Sequence, residues 1–132
     1  MSTIIESLQK GDVPPYILQL SEAESIPTPQ FIQSIIRGHV VVPRNNRHGS
    51  LTPVAIGLGA CVKINANIGT SPASCDFENE IQKLEAAISA GADAVMDLSI
   101  AGNSSAFRKH IIEGFDITLG TCLLYTSDAA DE

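Results

Sequence analysis

Two short apolar runs that each end in polar side chains constrain this chain most: Val62 to Asn67, reading VKINAN before Ile68-Gly69-Thr70-Ser71, and Ala94 to Ser99, reading AVMDLS after Gly91-Ala92-Asp93. One helix-length segment separates them. The order is therefore strand, helix, strand, with functional groups at the carboxyl ends of both strands, where α/β barrels and open α/β sheets keep their chemistry. The expected fold class is α/β. A chain of 132 residues has room for one core burying ~65% of the unfolded surface. A closed eight-stranded barrel takes about 250 residues, so a barrel built on this chain is a partial one.

The pattern along the chain fills in the rest. Ser2 or Thr3 caps a short helix carrying Ile4, Ile5 and Leu8, ended by Gly11 and the Pro14-Pro15 pair. Pro27 and Pro29 open another, with Phe31, Ile32, Ile35 and Ile36 at helical spacing and Gly38 as its stop. His39 to Val42 reads as a short strand closed by Pro43, and Arg44 to Pro53 as a polar loop. The Gly57-Leu58-Gly59 stretch marks the internal boundary: 1–59 is read as an amino-terminal helical and loop region and 60–121 as the start of the α/β part. Within the latter, Cys61 to Asn67 is a candidate buried strand. Asp76 caps a helix bearing Phe77, Ile81, Leu84 and Ile88, and Gly91 ends it in the left-handed conformation. Ala94 to Leu98 forms the next strand. Asn103 or Ser104 then starts a helix with Phe107, Ile111 and Ile112 inward, Gly114 stops it, and Ile117 to Gly120 begins a third strand. Such alternation suits parallel βαβ units with right-handed crossovers.

Composition excludes several function classes. No apolar run approaches the ~20 residues of a membrane span, so no membrane role is expected. The start, MSTIIESLQKGD, lacks a secretory pattern, and the three cysteines are scattered, which points to the cytoplasm. Net charge is −7, and Lys and Arg form no stripe, which argues against nucleic acid. The last stretch, 122–132, reads CLLYTSDAADE and looks like the translation of a transposase-end sequencing adapter, not native sequence. Without its Asp128, Asp131 and Glu132 the chain holds 12 acidic against 8 basic residues, a net charge of −4. On this reading the natural gene continues past Thr121.

RGHVVVPRNNRH at 37–48, NANIGTS at 65–71, GADAVMDLS at 91–99 and DITLGT at 116–121, in this order and spacing, together resemble the phosphomethylpyrimidine synthase family of thiamine biosynthesis, from about Ser7 to Thr121. The resemblance implies a TIM-type (β/α)8 barrel, of which this chain carries the first βαβαβ units. It implies an enzyme, a carbon-carbon lyase that uses radical S-adenosylmethionine chemistry and a 4Fe-4S iron-sulfur cluster, with zinc as a further metal, to convert 5-aminoimidazole ribonucleotide into 4-amino-5-hydroxymethyl-2-methylpyrimidine phosphate. It further implies a homodimer for the full-length parent. The family's substrate-contacting Asn and Met carry over to Asn67 and Met96. A carboxamide offers two donors and an acceptor that can fix a hydroxyl or ring nitrogen, and a thioether packs adaptably on a flat heterocycle. Read without the resemblance, Asn67 has the alternative of a turn residue capping the βα loop, and Met96 alone reads first as core filler. Asp97 either orients a ligand group or satisfies backbone donors at the strand end. Ile68 to Ser71 is an anion cradle or an ordinary βα turn. His48 completes the family's PxNxxH pattern with Pro43 and Asn45, or is an ordinary surface-loop residue.

The departures bear on activity. The family's CxxCxxxxC cluster motif has no counterpart, since Cys61, Cys75 and Cys122 are far apart, and the zinc-binding histidines fall beyond the end of the chain. Tyr125 stands where the family has a substrate-contacting tyrosine, an identity read as chance within the adapter. Leu98-Ser99-Ile100-Ala101-Gly102 replaces the family's LSTG, so an altered loop is expected. The isolated chain is accordingly expected to be inactive and, as a partial barrel, poorly soluble. Two alternatives stand beside the thiamine enzyme: a 5-hydroxybenzimidazole synthase paralogue using the same substrate, and a small α/β module that binds a phosphorylated metabolite without turnover.

Overall fold

The computed structural model describes residues 3–44, 48 and 51–121. Ser2, Asn45 and the suspected adapter stretch with Cys122 and Tyr125 lie outside the described residues. Those described gather into two compact units, one within Met1–Arg44 and Pro53–Val62, the other within Asn45–Thr52 and Lys63–Glu132.

In the first unit, α1 (Ile4–Gln9), α2 (Pro15–Ala23) and α3 (Thr28–Ile36) precede a two-stranded antiparallel pair of β1 (Val40–Val41) and β2 (Ile56–Gly57). Thr3 settles the choice of cap for α1. Its hydroxyl accepts from the Glu6 amide at 3.2 Å while the Glu6 carboxylate accepts from the Thr3 amide at 2.8 Å, a reciprocal capping box. The helix α2 runs against the sequence expectation. Pro14 and Pro15 were expected to end a helix, but Pro14 caps α2 and Pro15 begins it, because the first helical residue has no intrahelical use for an N–H and proline's fixed φ already suits a helix. Leu8, Ile17, Leu20, Phe31, Ile35 and Val40 form the core of this unit.

The second unit alternates β3 (Asn65–Ile68), α4 (Phe77–Ser89), β4 (Ala94–Asp97), α5 (Ser104–Gly114) and β5 (Thr118–Thr121). The strands form a parallel sheet in the order β3-β4-β5. The fold is α/β, and among the described residues the three strands do not close into a barrel. Asp76 caps α4 by accepting from the Glu78 and Asn79 amides, both at 3.1 Å, and Asn103 caps α5 by accepting from Ala106 at 3.1 Å. Gly91, with φ at 89°, takes the left-handed turn after α4 as its position suggested.

The first strand starts later than the apolar run does. Val62 is 93% exposed and Ile64 61%, so they are not the buried strand that their side chains suggest. The Ile64 carbonyl accepts from the Asp93 and Ala94 amides at 2.9 and 3.2 Å, and its own amide donates to Asp93 Oδ2 at 2.7 Å. This clamp fixes the chain at Ile64, and the ladder begins with Asn65. Alternation then sends Ala66, Ile68, Val95 and Leu119 to the face shared with Leu84 of α4 and Phe107 and Ile111 of α5. The rings of Phe77 and Phe107 stack at 4.7 Å between these helices. Leu84 is fully buried in this cluster, so Leu84→Ala is expected to lower the unfolding free energy by about 3 kcal/mol. Ile64→Ala, at an exposed position, should change it by less than about 0.5 kcal/mol; urea titration of both variants checks the contrast.

Candidate functional site

Because paired residues of a parallel ladder put their side chains on one face, the register decides what the opposite face presents. Asn67 is paired with Met96 and Met96 with Gly120; one step earlier Asn65 is paired with Ala94 and Ala94 with Thr118. These six residues therefore line the face away from the α4 and α5 core. Asn67, exposed, and Met96, half-buried, lie side by side near the carboxyl ends of their strands. A Cβ added to Gly120 would stand 3.7 Å from Met96 Cε, so the thioether extends over a position with no side chain of its own. Asn65 Nδ2 donates to Asn67 Oδ1 at 2.9 Å. The sequence reading passed over Asn65, although a spacing of two in a strand places both asparagines of NAN on the same face.

The loops after β3 and β4 are locked to each other by buried polar groups. Asp97 is 0% exposed; its Oδ1 accepts from the Ser99 amide at 2.9 Å, and its Oδ2 is paired with Arg108 Nε of α5 at 2.5 Å. Ser99 Oγ accepts from the Thr70 amide at 3.1 Å, and the Thr70 hydroxyl donates to the Ala101 carbonyl at 2.7 Å. Of the two roles open to Asp97, the geometry gives it the satisfaction of local donors, on the core side of the sheet. The anion cradle suggested by Ile68 to Ser71 is likewise occupied from within. The Gly69 amide donates to the buried Glu80 carboxylate at 2.8 Å, Thr70 to Ser99, and Ser71 to the Ser74 carbonyl at 3.0 Å. A βα turn with its own acceptors is what remains.

His48 departs from the surface role considered for it. It is only 6% exposed, and its Nε2 lies 2.8 Å from the Phe115 carbonyl. Nearby, Asp116 Oδ1 accepts from the Thr52 amide at 2.6 Å and Oδ2 from the Thr52 hydroxyl at 2.7 Å. The backbone bond, then the hydroxyl, with a smaller contribution from the charge of His48, holds the Asp116 carboxyl below its ordinary range against a modest opposing effect of burial. His48 and Thr52 are thus each tied to the connection between α5 and β5.

Among the described residues, no three His, Cys, Asp or Glu side chains gather where a metal ion could be held, and Cys61 and Cys75 are both exposed. These residues do not fit an iron-sulfur cluster or zinc, and no step is assigned to either. An apolar groove of about 400 Å³ is lined by Phe77, Ile81, Phe107 and His110 among others. All its lining residues belong to α4 or α5 or cap the latter, so it is separate from the strand face bearing Asn67 and Met96.

Two outcomes follow from this geometry. A Cβ on Gly69 would lie 2.6 Å from the Ser99 nitrogen, and its φ is 148°, so Gly69→Ala should lower stability by on the order of 2 kcal/mol, measured by thermal unfolding. The folded pKa of Asp116 is lower than the unfolded one, so its stabilisation is complete above the ordinary carboxylate range and is lost as pH falls through the folded value. The stability gap between the protein and Asp116→Asn should therefore be widest near neutrality and shrink on acidification, as followed by urea unfolding across a pH series.

Comparison with known proteins bears on the chain as a whole. A profile of the Radical SAM ThiC family matches residues 3–131, an interval that reaches into the suspected adapter stretch. The phosphomethylpyrimidine synthase of Archaeoglobus fulgidus is 42% identical over 123 residues, covering 93% of this chain and 29% of that protein. Those of Carboxydothermus hydrogenoformans and Thermus thermophilus are 43% and 40% identical over 85% and 96% of this chain, and 26% and 29% of theirs. The chain spans less than a third of the length of these relatives. On these matches, spread over nearly all its residues, the chain belongs to the Radical SAM ThiC family.

Proposed function

We propose that this chain is a segment of a phosphomethylpyrimidine synthase, the radical S-adenosylmethionine lyase that converts 5-aminoimidazole ribonucleotide into 4-amino-5-hydroxymethyl-2-methylpyrimidine phosphate in thiamine biosynthesis. The observation that carries the reading is the in-register pairing of Asn67 with Met96 on the face opposite the core. A polar carboxamide and a polarizable thioether stand side by side there, next to the bare backbone of Gly120. A flat imidazole can lie against the thioether while its ring nitrogen or a ribose hydroxyl meets the carboxamide. The names of the relatives support the same reading.

In this role Asn67 and Met96 bind and orient; the reducing chemistry belongs to a cluster that the described residues do not hold. The 132-residue chain is accordingly inactive by itself, and the substrate of the whole enzyme is a small cytoplasmic metabolite. The 5-hydroxybenzimidazole synthase paralogue shares this substrate and differs in product. Supplying the purified chain anaerobically with iron, sulfide, reductant, S-adenosylmethionine and 5-aminoimidazole ribonucleotide should yield no pyrimidine phosphate, and chromatographic detection of that product would contradict the proposal. In the longer protein read from the gene, Asn67→Ala should lower kcat/KM by at least about tenfold, the cost of one good hydrogen bond to substrate. An unchanged kcat/KM would remove Asn67 from the site.

A further inference from the structure

We infer that Asn65 is a positioning residue: its Nδ2 donates to Asn67 Oδ1, turning the Asn67 carboxamide so that its NH2 group, not its oxygen, is offered to a ligand on the open strand face. The inference rests on the proposed nucleotide site and specifies how Asn67 reads it.

A carboxamide is nearly symmetric in shape but not in hydrogen bonding, since one end donates twice and the other only accepts. Left alone, the Asn67 side chain samples both orientations, and a ligand must select one. The 2.9 Å bond from Asn65 occupies Oδ1. Among the described residues the Nδ2 hydrogens of Asn67 have no hydrogen-bond partner. The ligand atom that Asn67 meets is then an acceptor, such as an imidazole ring nitrogen, a ribose oxygen or a phosphate oxygen. The strand enforces this arrangement, because residues two apart stand on one face and their Cα positions are fixed by pairing, Asn65 to Ala94 and Asn67 to Met96. Ala94 and Gly120 are small and Met96, beside Asn67, carries no hydrogen-bond donor, so none of the three substitutes for Asn65 in holding the amide oxygen.

Asn65→Asp is the informative variant, because it keeps the shape of the side chain while replacing the donor with an acceptor. The carboxylate then draws the Asn67 NH2 toward itself and turns Oδ1 outward. Asn65→Ala only releases the carboxamide. The test uses the nitrogen-15-labelled 132-residue chain and two probes, 5-aminoimidazole ribonucleotide and its phosphate-free riboside. Both probes should move the Asn67 Nδ2 proton resonances of the unaltered chain. Asn65→Ala should weaken each probe roughly fivefold, and Asn65→Asp should weaken each at least as much, with the backbone resonances of Ile68, Val95 and Leu119 unchanged. Equal affinity of Asn65→Asp and the unaltered chain overturns the inference. So does a loss confined to the ribonucleotide, which would signal charge repulsion only. If neither probe binds the unaltered chain, the nucleotide reading fails there, and the ligand-free spectra decide the role of Asn65. Asn67 Nδ2 proton shifts that differ between the unaltered chain and Asn65→Asp uphold the positioning, and identical shifts overturn it.

Discussion

Parallel pairing of β3 with β4 admits no slip, and the placement of every other group in the second unit follows from that. Moving β3 by one residue would turn Ile68 and Ala66 out of the core and drive Asn65 and Asn67 against Leu84, burying two carboxamides without partners. Both ends of the pairing are pinned. At the amino end, the Ile64 carbonyl takes the amides of Asp93 and Ala94. At the carboxyl end, Gly69 lies so close to the backbone of Leu98 and Ser99 that even a methyl group would collide. A hydrophobic face alone would favour this register; the two clamps add directional bonds to a preference that burial leaves non-directional.

The polar network past the strands works the same way on the loops. Asp97 is buried, and a buried carboxylate is tolerable only when its lone pairs are met. The Ser99 amide and the Arg108 guanidinium meet them. Because Arg108 sits on α5 and Ser99 holds Thr70 in the loop after β3, one carboxylate couples a helix to two loops. The value of such a network lies in geometry more than in net stability, since a buried ion pair repays little beyond its own desolvation. What it secures is the position of the strand ends where Asn67 and Met96 stand.

The helices of the second unit were legible in the sequence because period and caps agreed there. Asp76 before Phe77, Ile81, Leu84 and Ile88, with Gly91 after, describes α4 almost to the residue. The strand β3 was placed too early because Val62 and Ile64 are apolar, and composition cannot show that a side-chain clamp from Asp93 ends the loop at Ile64. The helix α2 was missed because a proline pair reads as a stop or a start depending on which side of the helix it falls. Asn67 and Met96 were singled out through the family resemblance of their motifs, but their pairing in register is a property of the ladder that no local pattern carries. The same holds for His48, whose acceptor, Phe115, is 67 residues away.

The open strand face also bears on how this unit stands in water. Of Asn65, Asn67, Ala94, Met96, Thr118 and Gly120, the two asparagines are exposed and present their carboxamides, Met96 is half-buried, and the Thr118 hydroxyl oxygen is buried. Such a face does not demand a hydrophobic cover as the Ile68, Val95 and Leu119 face does. The edge liability expected of a partial α/β layer concerns other groups. It lies at the outer edges of β3 and β5, the two flanking strands of the described sheet, where backbone donors and acceptors are left for another strand. Four-residue strands offer few such groups, and short edges are one of the ways proteins limit that hazard. A face rich in donors and poor in bulk, beside short edges, suits a surface that receives a small polar ligand better than one that packs against a second apolar layer.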